Sequence, residues 1–63
     1  MTIYKLTYKG KLTQYFIVTN TGIFYAYDFM DIGKYQAAET ERELQDIITK
    51  KVDYGYKLEV ARI

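Results

Sequence analysis

The segment YFIVTNTGIFYAYDF, residues 15–29, constrains the fold more than any other part of the chain. Two runs rich in β-branched and aromatic residues flank the turn sequence Asn20-Thr21-Gly22, which predicts a β-hairpin. A strand with one solvated face alternates apolar and polar residues, but almost every position here is apolar or aromatic. Both faces of this hairpin are therefore expected to be covered, one by the rest of the domain and the other by a partner.

The other elements follow from local patterns. TIYKLTYK, LTQYFIVT and KLEVARI predict further strands, and Thr40 with Glu43 forms a capping-box pattern that predicts a helix. Strands are expected at about 2–9, 12–19, 23–30 and 57–62, and the helix at about 41–52. The sequence thus predicts one α+β domain over residues 1–63, with two layers: a four-stranded, mainly antiparallel sheet in βββαβ order and one helix packed on one face.

Two points of topology stay open at this level. The last strand can dock beside the first strand or beside the third, and we favour the first, which gives the sheet order 4-1-2-3. KYQAA, within residues 31–39, is compatible with an extension of the third strand, with a short extra strand, or with an early start of the helix.

Turn lengths predict which side chains share a face of the sheet. A loop of Lys9, Gly10 and Lys11 places Tyr8 opposite Leu12 and Tyr4 opposite Phe16. A three-residue loop at 20–22 places Thr19 opposite Ile23, so that Ala26 faces the helix together with Leu6, Phe16, Val18 and Phe24. The outer face then carries Ile3, Lys5, Thr7, Thr13, Tyr15, Ile17, Thr19, Ile23, Tyr25, Tyr27 and Phe29.

Composition excludes most catalytic and metal chemistry. The chain has no Cys, His or Ser, so it lacks the usual nucleophile–base pairs and the usual ligands of transition metals. Carboxylates remain, but most flank or lie on the polar face of the predicted helix, and a domain of 63 residues has little volume for an apolar pocket around them. We therefore expect no catalytic residue, no metal site and no cofactor.

The same features predict the compartment and the source of stability. The sequence shows no charged segment followed by an apolar run, the pattern of a signal peptide. It also contains no run that approaches the roughly 20 apolar residues needed to span a bilayer. We expect a cytoplasmic protein that does not contact membranes. Because disulfides and metal ligation are excluded, packing or association must stabilise this small chain.

The uncovered sheet face is the predicted binding surface. Large apolar and aromatic side chains that adjoin on an exposed face usually mark a contact with another molecule, and tyrosine is favoured in protein interfaces. The expected partner is a protein, either foreign or a second copy of the chain. The alternatives are single-stranded nucleic acid, bound by rings and lysines of the same face, and a structural homo-oligomer. The residues predicted to bind the partner are Tyr15, Ile17, Tyr25, Tyr27, Phe29 and Lys5.

The helix start AETERELQDII, the small size and the Tyr and Lys richness together resemble small proteins carried by phages and mobile elements of Gram-positive bacteria. The resemblance implies a phage-type accessory protein. Such a protein would bind a host or defence protein and inhibit or redirect it.

Overall fold

The computed structural model describes residues 1–26 and 35–63, and they form one helix and five strands. In chain order the elements are β1 (Thr2–Tyr8), β2 (Leu12–Thr19), β3 (Gly22–Ala26), β4 (Tyr35–Ala38), α1 (Glu41–Tyr54) and β5 (Lys57–Arg62). The strands form one antiparallel sheet in the order β4-β3-β2-β1-β5. The α+β class and the antiparallel sheet with one helix are confirmed.

The described residues contribute five strands to the sheet, so the predicted four-stranded βββαβ order is incomplete. The additional strand is β4, which pairs with β3. It lies in the KYQAA segment, for which a short extra strand was one of three interpretations compatible with the sequence. β5 lies beside β1, as favoured from the sequence. The two edges of the sheet are therefore the short β4 and the longer β5.

The first hairpin has the predicted register. Tyr8 pairs with Leu12 and Tyr4 with Phe16. The turn is closed by the Lys11 N–H, which donates to the Tyr8 carbonyl at 3.0 Å. Lys9 and Gly10 adopt positive φ values of 52° and 70°, the conformation that a tight turn between twisted strands needs.

The second hairpin differs from the prediction by one residue. Thr19 pairs with Gly22, so the loop contains only Asn20 and Thr21. The Thr19 hydroxyl explains the shorter loop, because it accepts from the Thr21 N–H and donates to the Gly22 carbonyl, both at 3.1 Å. These bonds hold Gly22 in the strand instead of in the turn.

This one-residue shift exchanges the two faces of β3, because strand side chains alternate between faces. Tyr25 pairs with Phe16, and together with Ile23 it packs in the core beneath the helix. Ala26 pairs with Tyr15 and is buried on the opposite face, beside Ile17. Phe24 pairs with Ile17 and shares that face. The predictions that Phe24 and Ala26 face the helix and that Ile23 and Tyr25 lie on the outer face are therefore wrong.

The helix α1 begins after Thr40, as the capping-box pattern predicts. The Thr40 side chain accepts from the Glu43 N–H at 3.2 Å, and the Glu43 carboxylate accepts from the Glu39 N–H at 3.1 Å. Leu44 and Ile48, one turn apart, are the buried residues of the helix. The helix extends to Tyr54, where Gly55 ends it.

In the part of the chain that the structure describes, the core consists of two clusters, one on each face of the sheet. Beneath α1 lie the buried residues Leu6, Phe16, Ile23, Ala38, Leu44 and Ile48. On the opposite face, Ile3, Ile17 and Ala26 are buried together, with Tyr15 packed against them. Apolar side chains on both sides of the β2–β3 hairpin are thus buried within the chain, which accounts for the apolar character of this segment on both faces.

Candidate functional site

Three tyrosines meet at the end of the helix: two flank Gly55, and the third comes from the distant strand β1. The ring of Tyr8, at the end of β1, lies 5.4 Å from the Tyr54 ring and 5.0 Å from the Tyr56 ring, and the rings of Tyr54 and Tyr56 are 6.3 Å apart. All three pairs are tilted, as is favourable for aromatic side chains. We call this group the tyrosine cluster.

Gly55 makes this arrangement possible. Its φ of 132° lets the chain leave the helix and enter β5 within two residues, and its N–H donates to the carbonyls of Lys51 and Val52. A Cβ atom at position 55 would lie 3.3 Å from a ring carbon of Tyr8. Only glycine thus combines the turn with close contact to Tyr8, and the two flanking tyrosines are brought against the same ring.

Two lysine ammonium groups lie against two rings of the tyrosine cluster. The Lys9 ammonium lies 5.4 Å from the Tyr8 ring centroid, and the Lys51 ammonium lies 5.0 Å from the Tyr56 centroid. Both distances allow a cation–π attraction. Tyr54 remains 72% exposed, so its ring is available to another molecule.

A groove lined by three lysines adjoins the tyrosine cluster. It lies along the outer side of β1 and β5, between the first hairpin and Gly55, and encloses about 480 Å³. Its lining residues are Lys5, Thr7, Lys9, Gly10, Gly55, Lys57 and Glu59. We call it the basic groove, because its three cations face one carboxylate. Together, the tyrosine cluster and the basic groove form an aromatic and positively charged end of the molecule.

The environment of the Tyr8 phenol raises its pKa. Partial burial is the main cause that raises the Tyr8 pKa above its ordinary value of 10.0, and the neighbouring Tyr54 adds to it. Folding therefore favours the neutral phenol. The resulting stabilisation is fully present below the ordinary pKa of tyrosine, and it is lost as the pH rises through the pKa that Tyr8 has in the folded protein.

The ionisation of Tyr8 can be measured by alkaline absorbance titration of the native chain and of Tyr8→Phe. We predict that subtracting the two curves gives a Tyr8 ionisation with its midpoint above pH 10.0. In strong denaturant the same difference should move back to the ordinary value. A Tyr8 step that stays at the same pH in the folded and the denatured protein would contradict the packing of the cluster.

The predicted binding residues do not form one exposed patch. Lys5 and Tyr15 are opposite one another on the outer face, and both are half-buried. Ile17 has no exposed surface and belongs to the second core cluster, and Tyr25 lies on the helix face. Tyr27 and Phe29 lie outside the described residues. The structure thus brings together Lys5 and Tyr15 and places Tyr25 elsewhere.

Lys5 and Tyr15 also line a shallow pocket on the outer face. It encloses about 380 Å³ between β2, β1 and β5 and is mainly apolar, with Ile3, Ala61 and Ile63 among its lining residues. Lys5 therefore lies between this pocket and the basic groove. Among the described residues predicted to bind a partner, Lys5 is the one that lines the basic groove.

Sequence reasoning missed the tyrosine cluster, although one local signal was present. In DYGY, two tyrosines flank a glycine just after a helix, so their rings project at a chain reversal. Nothing in the sequence indicates that Tyr8 lies against them, because that contact depends on where the helix ends over the sheet.

Residues 1–26 and 35–63 contain no metal site and no membrane-spanning helix. These residues contain no group of three or more acidic, His or Cys side chains that could hold a metal ion. In the same part of the chain, α1 is too short and too polar to cross a membrane.

Comparisons with known proteins give no further guide: the chain matches no protein-family model, no curated protein and no solved structure.

Proposed function

We propose that this chain is a small non-enzymatic protein-binding module, and that the tyrosine cluster is the centre of its contact surface. The single observation that carries the proposal is the exposed Tyr54 ring, held in place by the rings of Tyr8 and Tyr56. A rigid tyrosine loses little conformational entropy on binding and offers both an apolar ring and a hydroxyl group, which is why tyrosines are frequent anchors of protein interfaces.

The charges around the cluster favour an acidic region on the partner. The Lys9 and Lys51 ammonium groups lie against its rings, and the lysines of the basic groove extend the positive surface along β1 and β5. Occupying the surface of a partner is also how such a module would inhibit or redirect a host or defence protein, the role that the phage-like features of the sequence imply.

Single-stranded nucleic acid is the second candidate, favoured by the combination of aromatic rings and a basic groove. Base stacking needs open ring faces, however, and one side of the Tyr8 and Tyr56 rings faces a lysine ammonium. The arrangement therefore favours a protein partner over stacked bases.

The test compares two exposed tyrosines at different edges of the molecule. Tyr54 lies in the tyrosine cluster and is 72% exposed, whereas Tyr35 lies in β4 and is 58% exposed. Proteins captured by the tagged native chain from a bacterial lysate would be identified, and their affinity for each variant measured. Tyr54→Ala should weaken binding by about 1–4 kcal/mol, and Tyr35→Ala should leave it unchanged.

Equal affinities of the two variants and the native chain would contradict the proposal. Labelled single-stranded oligonucleotides test the second candidate in parallel. Binding at low salt that falls steeply as salt is added, and that is lost in Lys9→Ala, would identify nucleic acid as the partner.

A further inference from the structure

The strand β5 is a solvent-exposed edge of the sheet. All six of its residues are exposed, and it pairs with β1 over its full length without a bulge. The opposite edge, β4, has only four residues, and its pairing with β3 is interrupted by a bulge. Bulges and short strands are features that keep a sheet edge from pairing with another chain, and β5 has neither.

The hydrogen-bond pattern shows which backbone groups of β5 point away from the sheet. Met1 and Ile63 exchange two hydrogen bonds, of 3.0 and 2.8 Å. Hydrogen-bonded pairs alternate along an antiparallel ladder, so Ala61, Glu59 and Lys57 also direct their backbone groups toward β1. The N–H and C=O groups of the intervening residues, Leu58, Val60 and Arg62, therefore point outward from the edge.

The side chains of β5 carry a self-complementary pattern. Leu58 and Val60 lie on the helix side, opposite Leu6 and Tyr4, and are 37% and 44% exposed. Lys57 and Glu59 lie on the outer side, with opposite charges two residues apart. When such a strand pairs with itself in antiparallel orientation about Leu58, each Lys57 lies opposite Glu59 of the second copy.

The alternative registers lack this match. An axis at Glu59 places the two Glu59 carboxylates opposite each other, which is unfavourable. An axis at Val60 places Glu59 opposite Ala61 and Lys57 opposite Ile63, so no charges are paired. With the axis at Leu58, the two leucines form the central hydrogen-bonded pair, and two Lys57–Glu59 pairs flank it in the closer, non-hydrogen-bonded positions.

We propose that two copies of this chain associate through β5, antiparallel and with the twofold axis at Leu58, to form one continuous sheet. Each copy contributes the same edge, so the assembly closes as a dimer and does not extend further through β5. Tyr56 of the tyrosine cluster directly precedes β5, and in this register it lies opposite Val60 of the second copy, so the dimer contact adjoins the cluster. The two proposals are tested separately, because the dimer is measured with Lys57→Glu and the protein-binding role with Tyr54→Ala.

Sedimentation equilibrium over a wide range of concentrations provides the first measurement. The apparent mass should rise from the chain mass of 7.5 kDa toward twice that value. Lys57→Glu should weaken the dimer about three- to tenfold, because it turns each of the two Lys57–Glu59 pairs into a pair of opposed carboxylates. The matched control is Lys50→Glu, the same charge change at an exposed position of α1. A monomer at every concentration, or equal effects of the two variants, would overturn the proposal.

Single cysteines determine the register, because the native chain has no cysteine. Three variants, Leu58→Cys, Glu59→Cys and Val60→Cys, would be oxidised mildly and the rate of disulfide-linked dimer formation compared. The Cα atoms of a directly opposed, hydrogen-bonded pair lie about 5.5 Å apart, which suits a disulfide. Leu58→Cys should therefore cross-link fastest. Faster cross-linking at position 59 or 60 would overturn the proposed axis, and no cross-linking at any of the three would show that β5 binds a different chain or none.

Discussion

Replacing Ile17 with alanine is expected to lower the free energy of unfolding by about 2–5 kcal/mol. Ile17 has no exposed surface, although it lies on the face of the sheet opposite the helix. Its side chain packs with Ile3 and Ala26, and truncation would leave a cavity among them. Because domains this small are only marginally stable, a loss of this size removes a large part of the total.

Urea denaturation with two control variants tests this expectation. Ile17→Val removes one methylene and should cost about 0.5–1.5 kcal/mol, which distinguishes a packing effect from loss of a contact with a partner. Ile63→Ala, at a position that is 80% exposed, should leave the midpoint nearly unchanged. If Ile17→Ala were as stable as the native chain, the second core cluster would not be buried, and Ile17 would again be a candidate for binding a partner.

A comparable loss, about 2–5 kcal/mol, is expected for Leu44→Ala. Leu44 is the fully buried residue of α1, and it packs with Leu6, Phe16 and Ile48. It is one of two buried side chains through which the helix contacts the sheet, so its truncation weakens the link between the layers. We expect the far-ultraviolet helical signal and the fluorescence of the tyrosines to be lost together at lower urea concentrations.

The matched control is Val52→Ala, on the same helix but 42% exposed. Its effect on the unfolding midpoint should be small, since most of the removed surface is already in contact with water. Equal losses for the two variants would mean that Leu44 is not the main contact between the helix and the sheet.

Local features of the sequence were sufficient to predict the fold class. The alternation in β1, the Lys9-Gly10-Lys11 turn and the Thr40 cap each act within a few neighbouring residues, and each gave a correct element or register. Their physical causes, namely side-chain alternation and the satisfaction of free backbone groups, do not depend on the rest of the fold.

The register of β3 could not be predicted from residue types alone. Asn20-Thr21-Gly22 is compatible with loops of two or three residues, and the choice depends on the Thr19 hydroxyl bonding back to the loop. The one-residue difference in loop length reverses which side chains of β3 face the helix. Tyr25 and Ala26 therefore both lie on the face opposite to the predicted one. Of the described residues predicted to bind a partner, the shift moves only Tyr25, which lies on the helix face. Lys5, Tyr15 and Ile17 lie on the predicted outer face, and their role in binding stays a prediction.

The sequence by itself therefore determined the α+β class, the helix start and the first hairpin, because short-range periodicity and capping specify them. Tertiary structure alone decided that β4 joins the sheet, that β5 forms an exposed edge, and that Tyr8 meets Tyr54 and Tyr56. These features depend on contacts between residues distant in the chain, which form only when the helix packs across the sheet. No local pattern specifies where that packing places the end of the helix, and the tyrosine cluster is located there.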